Sequence, residues 1–135
     1  MKKVFSFLAI AACWFSISCS LTPRSHASKD GAIIEFETTA HDFGTIPQGG
    51  DGSFEFVFKN TGKEPLVLKN VRSSCGCTVP EWPKEPVKKG DKGTIKVSYN
   101  TRITGNFSKS ISVYSNSGEA PVVLIIKGKV EAAAK

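Results

Sequence analysis

Two cysteines one residue apart, in the run Ser74-Cys75-Gly76-Cys77-Thr78, are the residues of this 135-residue chain best suited to chemistry. On an extended strand, positions i and i+2 face the same way with Cα atoms about 6.6 Å apart, near the upper limit for a disulfide. A bend at Gly76 draws the sulfurs together, so Cys75 and Cys77 read as a disulfide, as packed thiols at a sheet edge, or as a paired dithiol. The first two are structural roles. A redox role draws on the rule that strained, exposed disulfides are the reducible ones. Two thiolates also hold a soft ion such as Cu(I), whereas a closed zinc site needs four ligands. Past the first 27 residues the sequence has one histidine, His41, and no methionine, so an intrachain zinc site would need carboxylates or a second subunit.

The other candidates are weaker. His41-Asp42-Phe43-Gly44 contains an Asp-Phe-Gly triplet that copies a kinase magnesium motif, but the Gly-rich and His-Arg-Asp loops are missing. A strand start with a turn at Gly44 is the simpler reading. A Ser-His-Asp arrangement would have to use His41, and there is no Gly-x-Ser-x-Gly elbow. Glu35 and Glu37 share one face of a strand, where carboxylates are usually just solvated. Trp82, in Pro80-Glu81-Trp82-Pro83, is either an aromatic anchor for a partner or a cap over the end of the fold, and capping is the commoner role. The expectation is a non-enzymatic domain with no cofactor and no catalytic residues.

Before the fold can be read, the leader must be set aside. Lys2 and Lys3 precede an apolar stretch from Val4 to about Leu21, followed by a polar segment with Pro23 and Arg24, the pattern of a secretory signal. Ser25-His26-Ala27 offers a small-x-small cleavage site, giving a leader over 1–27. Ser16-Ile17-Ser18-Cys19 offers a competing route, in which a signal over 1–18 is removed and Cys19 is lipidated. An uncleaved anchor is a third. All three place the domain outside the cytoplasm, in the periplasm or at the outer membrane, touching lipid only through such an anchor. Residues 28–135 then carry 15 basic and 12 acidic side chains, a net charge of +3. These charges are interspersed, which suits a soluble surface and excludes a nucleic-acid footprint.

The elements that must position the cysteines are strands. Apolar residues alternate at Ile34 and Phe36, at Phe54, Phe56 and Phe58, at Leu66 and Leu68, at Ile95, Val97 and Tyr99, and at Ile111 and Val113. Val122 to Ile126 is almost wholly apolar, which predicts a central strand covered on both faces. Gly- and Asn-rich turns separate these runs, and Pro80, Pro83 and Pro86 predict a long surface connection from Pro80 to Lys89. About seven short strands so spaced predict an all-β, immunoglobulin-like antiparallel sandwich. The domain is expected over 34–130, after a short linker at 28–33 and before a tail at 131–135.

His41-Asp42-Phe43-Gly44-Thr45-Ile46, Phe56-x-Phe58-x-Asn60-Thr61-Gly62, Pro65-Leu66, Ser74-Cys75-Gly76-Cys77-Thr78, Gly105 before Lys109-x-Ile111-x-Val113, and Ser115-Asn116 follow one another in this order. Together they resemble the DUF1573 family, exported immunoglobulin-like domains common in Bacteroidetes and similar to the PapD and major-sperm-protein modules. Lys89-Gly90-Asp91 departs from that family's usual Pro-Gly-Glu. The resemblance implies a bacterial envelope location, and a well-patterned sandwich with few catalytic side chains suits a binding or structural module that presents loops or an exposed sheet edge to an unidentified envelope protein. It carries no enzymatic activity with it. The rival reading is a thiol-redox or copper-handling protein built on Cys75 and Cys77.

Overall fold

A computed structural model of the protein describes residues 31–134. The leader and the lipidation candidate Cys19 lie outside the described residues. Eight strands run in chain order: β1 (Ile34–Phe36), β2 (Ala40–Pro47), β3 (Ser53–Asn60), β4 (Leu68–Ser73), β5 (Thr78–Glu81), β6 (Lys92–Tyr99), β7 (Gly105–Ser115) and β8 (Val122–Glu131). They form two four-stranded sheets, sheet A in the order β1-β3-β6-β5 and sheet B in the order β2-β8-β7-β4. The protein is an all-β sandwich.

Period-two alternation decides what each sheet turns inward. Phe56, Phe58, Ile95 and Val97 of sheet A and Ile111, Val113, Leu124 and Ile126 of sheet B are essentially inaccessible to solvent. Burying each phenylalanine contributes about 1.5–3 kcal/mol. Two inward glycines make room for rings on the neighbouring strand. Phe58 pairs with Gly93 and Phe107 with Gly128, and a Cβ at either glycine would strike the paired ring.

The structure corrects the sequence reading at four places. The sandwich is not wholly antiparallel: β2 runs parallel to β8, because the chain passes from sheet A to sheet B between β1 and β2. Gly44 does not end a strand. It sits at φ 63° inside β2, where the register slips between Asp42 and Thr45, so it forms a bulge. Pro80 belongs to a strand, β5, instead of opening the long loop. A proline fits there because β5 is the edge of sheet A and needs to donate on one side only. Finally, β8 is central in its sheet but covered on one side: Leu124 and Ile126 are buried, while Val123 and Ile125 are 46% and 42% exposed.

Asn60, at the end of β3, is a buried polar hub. Its side-chain amide donates to Glu64 O at 2.7 Å and Val87 O at 3.0 Å. Its carbonyl accepts from Gly62 N at 3.0 Å and Ile33 N at 3.3 Å. Gly62 lies so close to the backbone of Gly31, Ala32 and Ile33 that no Cβ would fit. Asn116 plays a similar part in sheet B: its side chain accepts from Val67 N at 2.9 Å and donates to Pro65 O at 3.0 Å, like a missing strand partner.

Candidate functional site

The chain crosses from sheet B to sheet A between β4 and β5, and the four residues of that crossing, 74–77, include both cysteines. Cys75 and Cys77 are joined by a disulfide, with Cα atoms 5.4 Å apart. Gly76 at the tip is exposed with open space around it, and both cysteines are half-buried. Cys77 also packs against the core.

Hydrogen bonds fix the crossing independently of the sulfurs. Thr78 N donates to Cys75 O at 3.3 Å, Asn100 N to Cys77 O at 2.8 Å and Ser74 N to Ser110 O at 2.8 Å. Ser110 N returns a bond to Ser74 Oγ at 3.2 Å. Ser73 Oγ lies 2.6 Å from Cys75 O and 2.7 Å from Thr78 O and shares its single proton between them. Cys77 N donates to Cys75 Sγ at 3.3 Å. In this bonded state the pair presents no thiolate, so a soft ion could be held only after reduction. Among the described residues, no three His, Cys, Asp or Glu side chains gather in a way that could hold a metal.

Thr78, the first residue of β5, is 2% exposed, and its Oγ1 has no hydrogen-bond partner among the described residues. A buried hydroxyl without a partner costs about 1–3 kcal/mol of desolvation. Thr78→Val, which keeps the shape and removes the hydroxyl, is therefore expected to stabilise the domain by about 1 kcal/mol. A thermal melt checks this, and a lowered Tm would show that the hydroxyl is satisfied.

The remaining candidates do not converge on the cysteines. His41, half-buried on β2, stacks on Phe54 of the opposite sheet with ring centroids 3.6 Å apart and meets Phe43 edge-on at 4.6 Å. It closes the open side between β2 and β3 as an aromatic. Trp82 is half-buried and packs against the core, with Lys84 Nζ 3.1 Å from its ring centroid. The outward carboxylates Glu35 and Glu37 lie on the β1 side, where Glu37 pairs with Lys92 at 2.6 Å.

The Gly44 bulge gives Asp42 a backbone partner. Gly44 N donates to Asp42 Oδ1 at 2.8 Å and, with Lys127 beside it, holds the Asp42 carboxyl below the usual carboxylate range. Asp51 is lowered in the same way by the backbone and side chain of Ser53. A lowered folded-state value adds stability that is complete above the ordinary carboxylate pKa and is lost as pH falls through the folded value. Stability is thus expected to fall on acidification below about pH 4. Asp42→Asn should flatten that limb in urea titrations at stepped pH. An unchanged slope would remove Asp42 from the account.

The outer face of sheet B is the other feature of note, and the sequence reading missed it. Register places Arg72, Ser112 and Val123 in one row across β4, β7 and β8, and Ser110, Ile125 and Ala40 in the row below. The next row is charged, with Lys127 paired to Asp42 at 3.5 Å. Ser112 and Ser110 of β7 stand beside Val123 and Ile125, and Tyr114, on the same side of β7, is 36% exposed. Arg72 is exposed and forms no ion pair among the described residues. The signal in the sequence was the unbroken apolar run itself, which predicted a second cover.

Residues 34–130, which span both sheets and the cysteine crossing, match the family described as "Protein of unknown function (DUF1573)". The chain belongs to the DUF1573 family. A Porphyromonas gingivalis W83 protein of unknown function superposes with a TM-score of 0.67 at 16% identity, over 75% of this chain and 48% of that one. The ASH/PapD-like domain 7 of human CEP192 gives a TM-score of 0.64 at 10% identity, over 88% of this chain and 98% of that one. These likenesses establish a PapD-like fold for this DUF1573 domain. In sequence, a probable mitochondrial aconitate hydratase of Dictyostelium discoideum is 32% identical over 82 residues, 59% of this chain. The chain spans about 10% of that relative's length, and its activity is not carried over.

Proposed function

We propose that this DUF1573 domain is a non-enzymatic binding module of the bacterial envelope, and that it docks a protein partner on the outer face of sheet B. The observation that carries this reading is β8. Its sequence is that of a strand buried on both sides, yet Val123 and Ile125 stand 46% and 42% exposed at the centre of their sheet. The fitting partner has apolar side chains at its centre and a carboxylate opposite Arg72, since an interface places its apolar contacts in the middle and its charges at the rim.

Strand addition at an edge is the less favoured mode here. β1 has three residues, and β5 has four including Pro80. β2 is bulged at Gly44 and ends on Pro47, and β4 presents Lys69 and Arg72. Short, bulged, proline-bearing or charged edges are the devices that keep sheets from pairing with other chains. Export is supported by the basic residues Lys2 and Lys3 followed by the apolar run. Intact mass of the exported product distinguishes cleavage after Ala27 from lipidation at Cys19.

The docking face is tested with a photoreactive side chain at position 125, and at Glu55 on the exposed side of sheet A as control. In envelope preparations position 125 is expected to give one defined adduct with another protein, lost on Val123→Asp, and Glu55 none. Equal labelling at both positions, or an adduct only with a second copy of the chain, would overturn the reading.

A further inference from the structure

We propose that Cys75 and Cys77 form an exchange-active disulfide that reacts stoichiometrically with a small thiol or the dithiol of another protein. A structural disulfide acts mainly by closing a loop in the unfolded chain, and its effect grows with the length of that loop. Here one residue, Gly76, separates the cysteines. The crossing is also held by backbone and serine hydrogen bonds that involve no sulfur, from Ser73, Ser74, Thr78 and Asn100. Opening the bond therefore leaves the loop in place, and the dithiol stays preorganised for closing again.

Both cysteines are partly open to solvent beside the exposed tip at Gly76. The N–H of Cys77 points to Cys75 Sγ at 3.3 Å. A donated hydrogen bond favours the charged form of its acceptor, so Cys75 is the sulfur that leaves. An incoming thiolate RS⁻ bonds to Cys77 Sγ while the Cys75–Cys77 bond breaks, and the electron pair goes to Cys75 Sγ as a thiolate. A second RS⁻ then attacks the R sulfur of the mixed disulfide, forming RSSR and releasing Cys77 as a thiolate. The protein disulfide and two RSH become a protein dithiol and RSSR, and the reverse direction oxidises a partner dithiol.

The experiment equilibrates the folded mature protein in a graded series of reduced and oxidised glutathione, quenches with an alkylating agent, and counts thiols by intact mass. The expected result is a full titration from disulfide to dithiol within the series, with the circular-dichroism spectrum unchanged and Tm lowered by a few degrees at most. In Cys75→Ser, glutathione is expected to accumulate on Cys77 at the oxidised end of the series, because no neighbouring thiol is left to displace it and close the protein disulfide. Should that variant fail to fold, the wild-type titration decides alone. A disulfide that resists excess reduced glutathione until urea unfolds the chain, or a dithiol form that loses its fold, would overturn the proposal and leave the bond structural.

Discussion

Asn60→Ala is expected to destabilise the domain by about 3 kcal/mol or more, the largest effect of any polar substitution here. The side chain is 0% exposed and makes four hydrogen bonds to backbone groups from three separate segments. Alanine leaves the N–H groups of Ile33 and Gly62 and the carbonyl of Glu64 without this partner, each at about 1–3 kcal/mol where water cannot enter. Val87 O suffers less, because it also accepts from Leu66 N at 2.8 Å. Asn60→Asp should be worse at neutral pH, since a buried carboxylate would face the carbonyls of Glu64 and Val87 in place of the amide that donated to them. Burial would raise the folded-state pKa of that new carboxyl, so part of the lost stability should return as pH falls and the group takes up a proton. Urea unfolding with an unchanged m-value checks both variants. A loss for Asn60→Ala under about 1 kcal/mol would show that water replaces the amide.

Phe58→Ala is expected to cost about 3–5 kcal/mol, a large part of the 5–15 kcal/mol that holds a typical domain folded. Phe58 is 0% exposed, lies 5.7 Å from the ring of Phe36, and covers Gly93 on the adjacent strand. Removing the ring opens a cavity between the sheets that the flanking strands cannot collapse to fill. The pairing with Gly93 makes a further, sharper expectation. Gly93→Ala alone places a Cβ against the ring and destabilises, whereas in the Phe58→Ala background the same methyl enters vacated space. The double variant should therefore be more stable than the sum of the two single losses allows. Strict additivity in a urea-denaturation cycle would show that the glycine and the ring do not share that space.

Much of the fold was legible because its signals are local. Phe54, Phe56 and Phe58 declare a strand and its inward face by spacing alone, and so do Ile95, Val97 and Tyr99. The cysteine pair was legible as a pair from its spacing, but the bend at the crossing that brings the Cα atoms to 5.4 Å and the bond itself belong to the folded structure. Asn60 and Asn116 were visible only as landmarks of turns and of the family resemblance. Their hydrogen bonds run to residues 27 and 51 positions away, such as Val87 and Pro65, and nothing local marks such partners.

The sequence by itself determined that this is a β-sandwich, because alternation and turn chemistry act between near neighbours; its DUF1573 membership rests on the match over residues 34–130. Only the tertiary structure decided that β2 runs parallel to β8, that Pro80 lies on a tolerant edge, and that the outward half of the β8 apolar run is left uncovered. Each of these depends on which strand lies beside which. A hydrophobic pattern states that a side chain favours burial, but it does not say whether this chain or another molecule supplies the cover.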